Sequence, residues 1–314
     1  MRRVYVSCTY RVENPEDYPE DIGEVFVIDW DAKKVLGVMH AHGPDHVAVG
    51  RSRGCAGIAW YHGAVWVATR SGLCIFDPDN YDTFEEISFP FGGAGTHQVK
   101  VHDGKLYAVL TSMDAFAIFE GRSLEKVVHI TEEDIPSTES VGFLSFRDDI
   151  PFGSNKLHFN SLEWDGAGNM YQLHMGGCSI FNWSTKKYVA KVKRVTGHTH
   201  DLIYHNGKFI VNDSDSGTTY EVDPVSQIPA VVRERPVGRS REGNRPGFLR
   251  GAALLPGGKS ILMSSAFGTL TEVSLENWED IDVFDFCQNK SNAPYDILLD
   301  PRDWKVQEEG DRNG

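Results

Sequence analysis

The chain has 314 residues, 40% hydrophobic and 24% charged, with 31 glycines and 14 prolines, the make-up of a globular protein rather than a fibrous or disordered one. Its 45 acidic and 31 basic residues give a net charge of −14, which argues against nucleic acid and anionic membrane surfaces as partners. No window approaches the ~18 apolar residues of a spanning helix, and Met1-Arg2-Arg3 is followed by no apolar signal core, so a cytoplasmic chain is expected.

From the N-terminus, residues 4–6, 23–29 and 34–38 read as three short strands that lack a first partner. A repeat then begins. Gly57-Ile-Ala-Trp-Tyr-His-Gly63, Gln98-Val-Lys-Val-His-Asp-Gly104, Asn160-Ser-Leu-Glu-Trp-Asp-Gly166, Asp201-Leu-Ile-Tyr-His-Asn-Gly207 and Gly251-Ala-Ala-Leu-Leu-Pro-Gly257 each pair an apolar run with a turn glycine six residues on. That is a hairpin signal with a period. A second run follows each turn, a third opens near a small residue, and a weaker fourth is visible at residues 126–129, 188–192 and 281–284.

The copies recur about every 48 residues, within the ~40–50 of propeller blades, and four antiparallel strands per copy define an all-β propeller. Asp296-Ile-Leu-Leu-Asp-Pro supplies the first strand that the N-terminus lacks. The prediction is a six-bladed β-propeller spanning residues 1–314 as one domain, its ring closed by pairing the N- and C-terminal strands. The five cysteines are an odd number, widely spaced and without a CxxC pair, so neither a disulfide framework nor a cysteine zinc cage is indicated.

In such a ring the first strands line a central channel, and the loops entering them share one face with the loops joining strands two and three. Ligands are expected in that mouth. His97, His158, His198 and His200 fall there, with His174, Arg250 and Tyr295. Imidazole suits Zn, Mn or Fe, so His97, His158, His198 and His200 are candidate metal ligands; the alternative is a hydrogen-bonded channel lining. His158 is one position out of phase with His97 and His200 when the repeats are aligned on glycine. A second polar ring, Gln98, Asn160, Asp201 and Asp296, with Gly57 and Gly251 in the other two blades, offers oxygen ligands for Ca or Mg, or else plain hydrogen-bond plugs.

Asn160-Ser-Leu-Glu-Trp164 is similar to the Asn-Gly-Leu-x-Trp metal-ligand strand of six-bladed propellers of the gluconolactonase and senescence-marker class, with Ser161 in place of the glycine. The resemblance extends to the blade pattern, and implies a divalent metal on the channel axis with Asn160 among its ligands, and hydrolase chemistry on a small polar substrate. His198-Thr199-His200 resembles the closely spaced histidine pair of some propeller polysaccharide lyases.

Between residues 231 and 250 lie Arg233, Arg235, Arg239, Arg241, Arg245 and Arg250, either a clamp for a carboxylate or phosphate or a solvated basic loop. The expectation is a metal-dependent enzyme acting on a small or oligomeric anionic metabolite. Arg250 would hold a carboxylate and Asp201 or Tyr295 would move a proton. Hydrolase (lactonase-like), lyase and isomerase chemistry all fit. The alternative is a non-catalytic scaffold that binds a protein or sugar on its loop face.

Overall fold

The glycines that set the repeat are turn residues in the left-handed region. His62 and Gly63, Asp103 and Gly104, and Asn206 and Gly207 all have positive φ, 47–80°, as a two-residue hairpin turn requires. The computed structural model describes residues 1–11, 22–42, 52–90, 95–130, 134, 157–174, 179–191, 199–214, 216–234, 249–265, 268–287 and 292–304. These residues form six sheets arranged as a six-bladed propeller.

The inner strands are Ile58–Tyr61, Thr96–His102, Phe159–Trp164, Thr199–His205, Leu249–Leu254 and Asn292–Leu299; we number the blades two to six, then one, in that order. Blade one is composite. Its N-terminal strand Arg3–Arg11 pairs antiparallel with Asn292–Leu299, setting Val4 opposite Leu299 and Ser7 opposite Asp296. Outer strands weak in the sequence, such as Thr83–Ser88 and Pro229–Glu234, complete blades two and five.

The apolar core lies between the blades. Trp66 and Phe119 fill one cluster between blades two and three, Trp30 and Leu262 another between six and one, and the other four neighbouring pairs of blades each enclose one as well. This explains why Ala64–Ala68 is buried at every position: a strand covered on both faces reads as a continuous apolar run, without alternation.

A C-terminal latch ties the ring shut. Asp300, fully buried, accepts from Tyr5 Oη at 2.9 Å and from the Arg302 guanidinium at 2.8 and 3.0 Å. Asp303 holds Arg3 at 2.6 Å, and Trp304 Nε1 donates to the Arg3 carbonyl at 2.7 Å. No helix among the described residues is long and apolar enough to cross a membrane.

Candidate active site

Five inner strands carry an irregularity at the same height. Ladder pairing skips Asn160, Asp201 and Tyr295, and sets His97 and Gln98 opposite one partner residue and Arg250 and Gly251 opposite another. A residue added to one side of a ladder is re-aimed out of it, and here the added residues are those the sequence marks as candidates.

The hydrogen bonds correct one phase. Gln98 Oε1 accepts the Leu162 N–H at 2.8 Å, Ser161 Oγ accepts that of Leu202 at 3.1 Å, and Asp296 Oδ2 accepts that of Ile58 at 3.1 Å. Asp201 likewise accepts from the Gly251 N–H. Each side chain thus staples its inner strand to the next, and in blade four that part is played by Ser161, not Asn160. Asn160 thus precedes the staple residue of its blade, as His97, His200 and Tyr295 precede Gln98, Asp201 and Asp296 in theirs. Its Nδ2 donates to the Thr199 carbonyl at 2.7 Å, and its buried Oδ1 has no hydrogen-bond partner.

At that upper level the aromatic rings gather. His97 and His200 lie parallel with centroids 6.1 Å apart, and Tyr295 stands edge-on to both at 5.7 Å. His158 stands edge-on to His97 with ring centroids 5.4 Å apart, its backbone left-handed at φ 47°. The Arg250 guanidinium sits 4.8 Å from the Tyr295 ring centre. Tyr295 Oη is buried without a hydrogen-bond partner, and burial above all raises its pKa, so the phenol keeps its proton.

His97 is held through Nδ1, 2.8 Å from the Gly95 carbonyl oxygen. A carbonyl only accepts, so Nδ1 carries the hydrogen and Nε2 keeps the lone pair. Burial, opposed by the Gly95 bond and reinforced by the Arg250 and Arg70 charges, pushes the His97 pKa down to about 4. The ring is a neutral imidazole with a basic nitrogen to spare.

One level below, Asp201 and Asp296 are both raised, first by burial and then, for Asp296, by the charge of Asp201. Asp201 Oδ2 is buried without a hydrogen-bond partner. The glycines of this ring mark close approaches. A Cβ on Gly57 would overlap the Gln98 and Val99 backbone, and one on Gly251 would lie 2.9 Å from the Asp296 Cα.

The structure thus brings together His97, His158, His200, Arg250 and Tyr295, with Asn160 at the same height and Asp201 beneath. His198 lies outside the described residues, as does the arginine run from 235 to 245. Arg233 belongs elsewhere: it sits on an outer strand, bound to Asp280 and to the Trp278 carbonyl. His174 is core, between the Tyr188 hydroxyl and Gln172. Among the described residues, which do not include His198, no three His, Cys, Asp or Glu side chains are arranged to hold a metal. Asn160 Oδ1 and Asp201 Oδ2, in adjacent blades, are buried acceptors without hydrogen-bond donors.

No protein-family model matches the chain, and no curated protein sequence does either. Among solved structures it is similar to virginiamycin B lyase from Staphylococcus aureus, at TM-score 0.52 and 10% identity over 77% of this chain and 73% of that one. A streptogramin B lyase gives 0.52 at 7% identity, over 91% and 75%. A chain of a nidogen/laminin complex gives 0.56 at 11%, over 94% and 98%. The likeness is one of fold. These propellers include lyases and a protein found in a complex, so function has to be argued from the site.

Proposed function

We propose that the protein is an enzyme acting by acid–base chemistry on a small anionic metabolite bound at the channel mouth. The observation that carries this is the neutral His97, its Nε2 free of the Gly95 bond, in one cluster with His200, a protonated Tyr295 and the Arg250 guanidinium. In a chain of net charge −14, the Arg250 guanidinium at this mouth is a local positive charge that attracts an anion.

Arg250 holds a carboxylate or phosphate of the substrate. Its charge is then neutralised by the ligand, which relieves one of the influences that keep the His97 pKa low, so binding itself raises the basicity of Nε2. His97 removes a proton from the substrate or from water, and Tyr295 donates its phenolic proton to the oxygen that leaves or gains charge. Proton abstraction beside a carboxylate leads to elimination, a lyase reaction; proton abstraction from water leads to hydrolysis of a lactone.

The test is a panel of lactones and β-substituted carboxylates followed by proton NMR, with His97→Gln and Tyr295→Phe in parallel. Turnover of at least one anionic member, lost in both variants while cooperative unfolding persists, is the expected result. Turnover that survives His97→Gln refutes the acid–base assignment; no turnover by the wild type over the whole panel favours the scaffold reading.

A further inference from the structure

The channel has a second compartment on the face opposite the histidines. It is a cavity of about 570 Å³ below the polar ring, lined by all six blades, a size usual for small-molecule sites. Its walls are apolar and aromatic, with Trp60, Ile203, Tyr204 and Leu254 among them. Its charges are lopsided. Among the described lining residues Lys100 is the one cation, against the carboxyls of Glu163, Asp201 and Asp296. Lys100 is already engaged, since its Nζ binds Glu163 and donates to the Leu202 carbonyl at 3.1 Å.

One further observation points to a positive ligand. Asp201 Oδ2 is an acceptor shielded from solvent that lacks any donor, and a buried acceptor left unmade is costly until a donor arrives.

We propose that this lower compartment binds an organic ammonium ion with an apolar or aromatic body, so that the two ends of one channel select ligands of opposite charge. The ammonium lies against the carboxyls and the body against Trp60, Tyr204 and Leu254. An anion is disfavoured because it would meet three carboxyls and an ammonium already committed.

The experiment is calorimetric titration of the full chain with tryptamine, and with indole-3-propionate as the acid of similar shape. Tryptamine is expected to saturate one site per chain, at least about tenfold more tightly than the acid, as one charge-assisted contact against one repulsive contact allows. Glu163→Gln leaves the Lys100 charge uncompensated and should weaken tryptamine by about tenfold or more; Trp60→Ala should weaken it through the lost ring. Arg250→Ala, at the other mouth, should leave tryptamine affinity unchanged. Equal binding of amine and acid, no binding of tryptamine at millimolar concentration, or a loss caused by Arg250→Ala but not by Glu163→Gln overturns the proposal, and none of these results bears on the acid–base cluster above.

Discussion

Replacing Asp300 by Asn tests whether the C-terminal latch holds the functional mouth together, because the closing strand Asn292–Leu299 that precedes it carries both Tyr295 and Asp296. Asp300 is fully buried, and its carboxylate meets Tyr5 Oη at 2.9 Å, Arg302 at 2.8 and 3.0 Å and Arg3 at 3.4 Å. Breaking a buried pair by removing one partner costs roughly 3–5 kcal/mol. Arg302 retains 36% side-chain exposure, so water screens part of that contact and the loss should fall near the lower end, about 3 kcal/mol. For a chain of this length that is a drop in Tm of about 4–5 °C. Burial alone would raise the Asp300 pKa, but the Arg302 side-chain and backbone hydrogen bonds, with help from Tyr5 and Arg3, bring it below the ordinary value. A group depressed in the folded state contributes stability above its unfolded pKa, about 3.9, and that stability is lost as pH falls through the folded pKa. Urea unfolding of both proteins should therefore show the full difference at pH 7 and a shrinking one below pH 4. A difference under about 1 kcal/mol at pH 7, or one that persists undiminished at pH 2, would refute the reasoning.

Gln98→Ala should cost about 1–3 kcal/mol in urea unfolding, because the Ser161 hydroxyl and Leu162 N–H lose their acceptor in a buried place. Gly57→Ala should cost about 3 kcal/mol or more, or prevent folding, since its Cβ would meet backbone that cannot move aside; wild-type stability in that variant would mean blades two and three are less close than described. The His97 ring should titrate near pH 4 by NMR, and 10 mM phosphate should move that value upward; with a depressed pKa it adds to acid lability as pH falls from about 6.5 to about 4.

The blade pattern was legible because each copy repeats local chemistry: apolar strand, turn residues with positive φ, apolar strand. Even the closure of the ring could be read, since Asp296-Ile-Leu-Leu fits the one vacancy left by the N-terminal strands and residue for residue meets Val4 to Ser7. Outer strands such as Thr83–Ser88 were not legible, because one edge of each is solvated and carries little apolar signal.

The site divides in the same way. Counting along the repeat put His97, His200, Arg250 and Tyr295 at one channel mouth, and the structure gathers those four. It placed Asn160 in the polar ring, whereas the staple from Ser161 to Leu202, a contact between blades, gives that part to Ser161. His174, two residues from Gln172 on a second strand, looked like a mouth residue, but the sheet turns it inward to Tyr188 and Gln172. Local residue types thus determined the blades, their number and the polar character of the axis, because those follow from strand period and turn geometry. Which polar groups meet, which are consumed as staples between blades and which keep an unused nitrogen or oxygen was decided only by the closed ring, because those contacts join residues a blade or more apart in sequence.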